Sequence, residues 1–232
     1  MACELVLVQS ANWTQSWVFD KYPTDLKGSH EVQFRLVYRG PLHPAGHSYS
    51  REEKHSIRQH FHKQLLELWR QNSFLRSRAE TVIGTESGSR RFLDLIADNH
   101  ARCGYRFVPL VTKAHGIAAS VEILFLRRDP PGYILGIGGT GGDIDNRLKV
   151  LLDAMKMPST CGEIPPKSTP QADENPFFCV LEDDSLIAEV SIITDRLLTP
   201  QEDDERTKDV HLVLKIKTVV IDSQKAFDEY YA

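Results

Sequence analysis

The sequence has no apolar run of the roughly 18 residues that a helix needs to cross a bilayer. Residues 1–10 are partly apolar, but Glu4 stands where a secretory signal is basic, and no small-residue cleavage site follows. The chain also lacks a Walker lysine motif and a dinucleotide fingerprint. With 41% hydrophobic and 26% charged residues, these absences predict a globular cytoplasmic protein with no membrane segment and no organic cofactor.

The cysteines form no C-x-x-C pair, and the histidines form no H-E-x-x-H motif. A zinc site and a dense disulfide framework are both disfavoured by this spacing. We predict that all four cysteines are reduced thiols: Cys3, Cys103, Cys161 and Cys179. We interpret the three histidines of the longest predicted helix as surface residues: His55, His60 and His62.

An excess of positive charge, which DNA-binding proteins commonly use to neutralise phosphates, is missing as well. The chain has 28 Lys and Arg against 32 Asp and Glu, for a formal net charge of -4. Binding to nucleic acid therefore requires either that the basic residues gather on one face or that a divalent cation neutralises part of the phosphate charge.

Hydrophobic periodicity predicts a mixture of strands and helices. Alternating or continuous apolar residues predict five strands, at 32–38, 107–111, 117–126, 186–193 and 210–220. The strand at 117–126 is apolar on both faces, which is typical of a central strand. Apolar residues at helical spacing predict helices at 51–71 and 144–157 and a shorter one at 91–99.

These elements predict an α/β (α+β) fold in which a small mixed β-sheet is flanked by helices. We expect residues 30–232 to form one domain, because a chain of this length is normal for a single core. Residues 1–29 are expected to be an extension without an assigned role. A stretch rich in Pro, Ser and Thr at about 158–180 is predicted to be an inserted surface loop.

The helix predicted at 51–71 combines an apolar and a basic stripe. Ser50 and Glu53 have the spacing of a capping box at its start. Behind them, the residues at core spacing are Ile57, Phe61, Leu65 and Leu68, and Trp69 is also expected in the core. The basic stripe consists of Arg51, Lys54, Arg58 and His62. This stripe either follows a phosphate backbone or is an ordinary solvated face.

The stretch Gly-Asp-Ile-Asp-Asn-Arg-Leu-Lys at 142–149 carries most of the chemical information. Asp143 and Asp145 stand at the start of a predicted helix, and the preceding glycines permit a turn that lets both carboxylates meet one cation. Lys149 lies one helical turn beyond Asp145, where its ammonium can reach the carboxylates or a phosphate. Asp153 lies one turn further and can hold Lys149. The alternative is a capped helix with an ordinary i,i+4 ion pair.

A second acidic cluster, Glu182, Asp183 and Asp184, directly precedes a predicted strand. Carboxylates that repel one another stabilise nothing at this position unless a cation is present. Mg²⁺ suits such a set, with Mn²⁺ as a substitute, because it takes a few carboxylates, keeps several waters and leaves positions for phosphate oxygens. The two clusters together predict metal-assisted hydrolysis of a phosphodiester by water.

The combined pattern resembles the RusA family of Holliday junction resolvases. The resemblance is carried by Asp143-Ile144-Asp145-Asn146-Arg147-Leu148-Lys149, by Asp153-Ala154, and by Glu182-Asp183-Asp184-Ser185 entering a strand. It implies an α/β fold, a homodimer, and Mg²⁺-dependent paired nicks in branched DNA during recombination, repair or mobile-element transfer. It assigns metal binding and catalysis to Asp143, Asp145 and Asp184, and the catalytic lysine to Lys149. It places four further residues around this metal site, in supporting positions: Asn146, Asp153, Glu182 and Asp183.

The chain departs from the family in three places. It has glycines at 136–142 where relatives often carry basic residues, and its connection from Met155 to Asp183 is long. The N-terminal 30 residues and residues 72–104 also enlarge the domain. Two further functions therefore stay open. One is a non-catalytic DNA-binding or assembly module that retains the fold, which the low net charge favours. The other is a nuclease for flaps or RNA, with the inserted loop selecting the substrate.

Overall fold

A computed structural model describes residues 31–44, 50–85, 88–128, 144–198 and 209–226. Several predictions fall outside these ranges. They concern Asp143, the glycines at 136–142, Cys3 and the extension at 1–29.

Within the described residues, strands and helices alternate along the chain. The strands are β1 Gln33–Pro41, β2 Val82–Thr85, β3 Gly88–Arg91, β4 Ala101–Arg102, β5 Tyr105–Val111, β6 Ile117–Arg127, β7 Phe177–Leu181, β8 Ile187–Arg196 and β9 Asp209–Val220. The helices are α1 Ser50–Gln71, α2 Ser73–Glu80, α3 Phe92–Asn99, α4 Ile144–Met155 and the single turn α5 Ser223–Lys225. Short 3-10 turns occupy Cys161–Glu163, Ala172–Glu174 and Asp184–Leu186. The predicted α+β class is confirmed.

The strands form several small sheets within one compact domain. The main sheet has the order β1-β9-β6-β8, in which β9 is antiparallel to both of its neighbours and β8 is parallel to β6. A second sheet has the order β4-β5-β7, with β5 and β7 parallel, and β2 pairs with β3 as a hairpin. Strand β6 lies inside the main sheet, so the predicted central strand is confirmed.

Helix α1 packs its apolar stripe against β1, β7, α2 and α4. Ile57, Phe61, Leu65 and Trp69 are 0%, 2%, 0% and 6% exposed, so the predicted core face is confirmed, whereas Leu68 is only partly buried. Full burial of side chains of this size contributes about 1.5–3 kcal/mol each. This helix therefore fixes the end of α4 and the strand β7, the two elements that lead into the acidic residues.

The predicted extent of the inserted loop, 158–180, is wrong at its C-terminal end, because residues 177–180 belong to the buried strand β7. A five-residue apolar run is too short to show a period, and a strand buried on both faces does not alternate. The remaining segment is irregular but anchored. Ile164 and Glu174 are buried, and the Glu174 carboxylate accepts a hydrogen bond of 2.8 Å from Gln59 Nε2.

The prediction of reduced thiols is wrong for Cys103 and Cys161, which form a disulfide across 58 residues of sequence. Cys103 and Gly104 form the two-residue turn between β4 and β5, with φ of 55° and 83°, a conformation that glycine favours. Sequence spacing did not reveal the pair because the fold alone brings this turn to the 158–176 segment. Cys179 is buried and free, and burial raises the pKa of its thiol.

None of the helices in the described ranges combines the length and the apolar character needed to cross a membrane.

Candidate functional site

Helix α4 presents Asp145 and Lys149 on its exposed side. Asp145 lies in the first turn and its carboxylate accepts a hydrogen bond of 2.6 Å from the backbone N–H of Asn146. The opposite side of the helix is packed in the core through Val150, Leu151, Ala154 and Met155. The charged face of α4 thus points outward, as its periodicity predicts. Asp143, one residue before the helix, lies outside the described residues.

The acidic turn begins beside the other end of α4. Lys156 forms a parallel bridge with Leu181, and the Met157 N–H donates a hydrogen bond of 2.9 Å to the Leu181 carbonyl. The next residue, Glu182, donates its N–H to the Val111 carbonyl at 2.9 Å. These backbone bonds place Asp184, at the start of its short 3-10 turn, next to the C-terminal end of α4.

A row of alternating charges links α1, α4 and this turn. Lys54 Nζ lies 2.9 Å from Asp153 Oδ2, and Lys156 Nζ lies 3.8 Å from Asp153 Oδ1 and 3.3 Å from Asp184 Oδ2. Asp153 is therefore held by Lys54 and Lys156, and the prediction that it holds Lys149 is wrong. The Lys156 side chain is only 12% exposed, whereas that of Asp184 is 48% exposed. One carboxylate of the row thus remains accessible to solvent.

Asp145 lies in the first turn of α4, whereas Lys156 directly follows the last residue of the helix, Met155. Asp145 and Met155 are ten residues apart, which is about 15 Å along the helix axis. Asp145 and Asp184 therefore lie beside opposite ends of α4.

Within the described ranges, no group of three or more His, Cys, Asp or Glu side chains lies close enough together to hold a metal ion. The predicted ligand set includes Asp143, which is not among these residues. The donor chemistry of the set nevertheless fits Mg²⁺, which prefers carboxylate oxygens and keeps several waters of its own.

Glu182 and Asp183 shape the acidic turn. Glu182 Oε2 accepts a hydrogen bond of 2.8 Å from the Lys113 N–H. Asp183 Oδ1 accepts from the Ser185 N–H at 3.0 Å and from its hydroxyl at 2.5 Å. These bonds from Ser185 hold the pKa of Asp183 below its ordinary value. Both carboxylates thus use their hydrogen-bonding capacity to fix the backbone that carries Asp184.

For two of its four members, both interpretations of the basic stripe of α1, contact with a phosphate backbone and a solvated face, are wrong. Arg58 is 1% exposed and His62 is 0% exposed, so neither can meet a phosphate. Arg58 Nε donates to the Lys156 carbonyl at 3.1 Å and Nη2 donates to the Asp153 carbonyl at 3.0 Å, where the last carbonyls of α4 lack helical partners. Lys54 is engaged by Asp153. Arg51, with 43% of its side chain exposed, keeps access to solvent.

The surface assignment of the α1 histidines is confirmed only for His60. His55 and His62 are buried, and burial lowers the pKa of both. His62 Nδ1 accepts a hydrogen bond from the Phe178 N–H, and Nε2 lies 2.9 Å from the Asp173 carbonyl. This arrangement requires a neutral ring with its proton on Nε2. His62 thereby joins α1 to β7.

Lys156 is the site residue that sequence reasoning missed. One signal pointed to it: Lys156 follows Asp153 by three residues, close to one helical turn. The contact between Lys156 and Asp184, 28 positions later in the chain, depends on the tertiary fold, so the spacing of residues in the sequence does not predict it.

Comparisons of the chain with protein-family models, with curated proteins and with solved structures found no match. The assignment of a function therefore depends on the residues and geometry described above.

Proposed function

We propose that this protein is a Mg²⁺-dependent endonuclease of the RusA type that hydrolyses phosphodiester bonds in branched DNA as a homodimer. The observation that carries the proposal is the charged face of α4. Asp145 and Lys149 are exposed together on this helix, and Lys156, which directly follows it, lies 3.3 Å from the Asp184 carboxylate.

Each charged residue has a role in this proposal. Asp143 and Asp145 would hold Mg²⁺ or Mn²⁺ at the start of α4, and Asp184 would complete the set by moving towards them from the other end of the helix. The bound ion would polarise the phosphoryl group and lower the pKa of the attacking water. Lys149 binds the scissile phosphate from the exposed face of α4. Lys156 positions the Asp184 carboxylate, and Lys54 keeps Asp153 in place beside it. Arg51 contacts the DNA backbone further along α1.

The decisive test is cleavage of a labelled four-way DNA junction by Asp145→Asn, with Asp195→Asn as the matched control. Asp195 is an exposed aspartate at the far end of β8. Removal of a metal-binding charge is expected to slow Mg²⁺-dependent cleavage by at least about a hundredfold, because a metal ligand supports several kcal/mol of charge stabilisation. Thermal unfolding is expected to be unchanged in both variants. If Asp145→Asn cleaves the junction at the wild-type rate, the proposal is wrong.

A second candidate is a DNA-binding or assembly module without catalysis. The observation in its favour is the ion pair between Lys156 and Asp184, which places a positive charge of the chain itself beside this carboxylate. A gel-shift assay on branched and linear DNA in Ca²⁺, followed by addition of Mg²⁺, separates the two. Binding that is never followed by cutting supports the module. A panel of junctions, flaps and RNA in the same assay identifies the substrate class of a nuclease.

The sequence predicts a cytoplasmic protein, and a cytoplasmic nuclease is the simplest form of this proposal. The Cys103–Cys161 disulfide instead favours an oxidising compartment, because disulfides are rare in the cytosol. Alkylation of free thiols in intact cells, followed by mass spectrometry, decides between them. Alkylation of both Cys103 and Cys161 is the result expected of a cytoplasmic protein, and protection of both is expected in an oxidising compartment.

A further inference from the structure

The main sheet is buried on one face and partly exposed on the other. Buried and more exposed residues alternate along β1 and β9, as expected of a sheet whose second face is solvated. The strand pairing aligns the exposed side chains in rows that run across all four strands. We call this surface the outer face. Its two middle rows are Arg35, Lys215, Glu122 and Ser191, and Val37, Val213, Leu124 and Ile193.

The second of these rows is apolar from one edge of the sheet to the other. Val37 on β1 and Ile193 on β8 are 51% and 52% exposed, and Val213 and Leu124 between them are partly exposed. Single apolar residues are common on protein surfaces, whereas a continuous apolar band is typical of an interaction site. The outer face therefore carries an apolar band that suits a protein partner.

Neither edge of the sheet favours extension by a further strand. At the β1 edge, Gln64 Oε1 accepts the Val37 N–H at 2.9 Å, and Gln64 Nε2 donates to the Val37 carbonyl at 2.8 Å. At the β8 edge, the charged residues Glu189 and Arg196 are exposed. Charged side chains on an edge strand discourage pairing with another strand. The outer face, rather than an edge, is thus the part of the sheet that favours association.

The charges of the outer face are divided between the two halves of the sheet. The half formed by β1 and β9 is predominantly basic, with Arg35, Arg39, Lys215 and Lys217. The half formed by β6 and β8 carries the carboxylates of Glu122 and Glu189. At the boundary between the halves, Lys215 Nζ lies 2.8 Å from Glu122 Oε1. A surface with one basic and one acidic half is complementary to a second copy of itself after half a turn.

The order and register of the strands decide how two such faces fit together. A twofold axis parallel to the strands, between β9 and β6, places β1 over β8 of the second copy and keeps each row at its own height. Val37 then faces Ile193 of the second copy, so the two apolar bands meet. One row further, Lys215 faces Glu122 of the second copy. An axis along the rows instead places the basic half over the basic half, which charge repulsion disfavours.

The outer face is large enough for a specific association. Two aligned sheets pack face to face at a distance of about 10 Å. Four strands about 4.8 Å apart, with about nine residues of about 3.3 Å each, give a face of about 19 Å by 30 Å. This is about 600 Å² for each copy, so the total exceeds the roughly 1,000 Å² expected of a specific interface.

We infer that the outer face of the main sheet is the interface between two copies of this chain. The axis parallel to the strands makes both β8 strands begin at the same end of the dimer, about 18 Å apart. Asp184 lies just before β8, so both acidic turns open at that end. This deepens the proposed function, because paired nicks in one junction need two sites on one side of a dimer. Only this link to nicking rests on the proposed function, since the association itself needs neither metal nor DNA.

The first test is sedimentation velocity of the full chain in EDTA over a series of micromolar concentrations. The wild type is expected to sediment as a dimer. Val37→Asp places an unpaired carboxylate in the apolar band of both copies and is expected to raise the dissociation constant at least about a hundredfold. Val82→Asp is the matched control, because Val82 is 61% exposed on β2, outside the main sheet. This control is expected to sediment like the wild type.

A charge exchange tests the direction of the twofold axis. Lys215→Glu and Glu122→Lys each place like charges opposite one another, so each variant alone is expected to be monomeric at concentrations where the wild type is a dimer. An equimolar mixture of the two variants is expected to regain the dimer, because opposite charges then face each other between the copies. Within one copy the reversed residue stays beside a like charge, so the recovery requires the second copy. Recovery also shows that both variants are folded.

The proposal is overturned if the wild type is monomeric at every concentration, which would leave the outer face to another part of the chain or to a different protein. It is also overturned if Val37→Asp dimerises like the wild type, or if the mixture of charge variants stays monomeric. Asp145→Asn is expected to sediment as a dimer. A dimer that does not cut DNA would therefore contradict the nuclease activity alone, and a monomer that cuts DNA would contradict this interface alone.

Discussion

At the scale of single residues, the polar side chains of α1 join helices and strands to one another. Arg58 reaches the last carbonyls of α4, and His62 bonds the backbone of β7. A guanidinium is tolerated in such a buried position because the helix end offers it several carbonyls and a partial negative charge. Burial still lowers the pKa of Arg58, which records the cost of removing its charge from water.

Arg58→Met is therefore expected to lower the free energy of unfolding by about 2–4 kcal/mol. The change removes two hydrogen bonds from a charged donor, each contributing about 1.5–3 kcal/mol, and the relief of desolvation offsets part of that loss. Urea denaturation measures the difference, and Arg51→Met, on the exposed side of α1, is expected to stay within about 0.5 kcal/mol of the wild type. If Arg58→Met weakened DNA binding at unchanged stability, the structural role assigned to Arg58 would be wrong.

Residue-level prediction of the site succeeded where local spacing decides the outcome and failed where tertiary contacts do. The exposure of Asp145 and Lys149 follows from the helical period of α4 alone. The partner of Asp153 does not, because Lys54 comes from another helix, 99 positions earlier in the chain. Likewise, no period distinguishes a polar residue that faces solvent from one that faces a second layer of structure, as Arg58 does.

At the scale of elements, the same distinction explains the predicted fold. Helix α1 and strands β6 and β9 are long enough to show their period, and their predicted spans match the structure within a few residues. Short elements such as β2, β3 and β7 carry too few residues for a pattern. The pairing of β5 with β7 in parallel depends on contacts across about 70 positions, so it could not be read from local sequence.

Phe177→Ala tests whether β7 is a core strand. Phe177 is 0% exposed and packs against Tyr105, Phe107 and the ring of His62. Truncation of a buried phenylalanine leaves a cavity and is expected to cost about 3–5 kcal/mol, whereas a residue of a surface loop would cost almost nothing. Denaturant unfolding gives the value, and Val190→Ala, at an exposed position in β8, serves as the control. A cost below 1 kcal/mol for Phe177→Ala, on the scale of surface substitutions, would restore the loop prediction.

At the scale of the whole molecule, the Cys103–Cys161 disulfide ties the irregular 158–176 segment to the β4–β5 turn. A crosslink that closes 58 residues restricts the unfolded chain and is expected to contribute about 4 kcal/mol by the loop-entropy relation. The double variant Cys103→Ser/Cys161→Ser is expected to lose this amount in urea denaturation. Adding a reducing dithiol should destabilise the wild type equally and leave the double variant unchanged. A response of the double variant to dithiol would assign the effect to another site.

Stability of the whole molecule is also expected to fall on mild acidification, because several histidines are held neutral. Burial is the main cause of lowered pKa values at His55, His62, His115 and His211. A histidine whose pKa is lower in the folded state contributes stability in full above its unfolded value of 6.5, and this contribution is lost as the pH falls towards the folded value.

For His115, with a pKa of about 4, the loss between pH 7 and pH 4 amounts to about 3 kcal/mol, at 1.36 kcal/mol per pKa unit. The aspartates with lowered pKa values, Asp98 and Asp183, add to the loss only near and below pH 4, since their ordinary pKa is 3.8. Urea denaturation at a series of pH values gives the slope of the free energy of unfolding against pH. His115→Gln is expected to flatten it, whereas His60→Gln, at an exposed position, should leave it unchanged. An equal slope in wild type and His115→Gln would mean that the buried ring next to Phe92 accepts its proton without opening the fold.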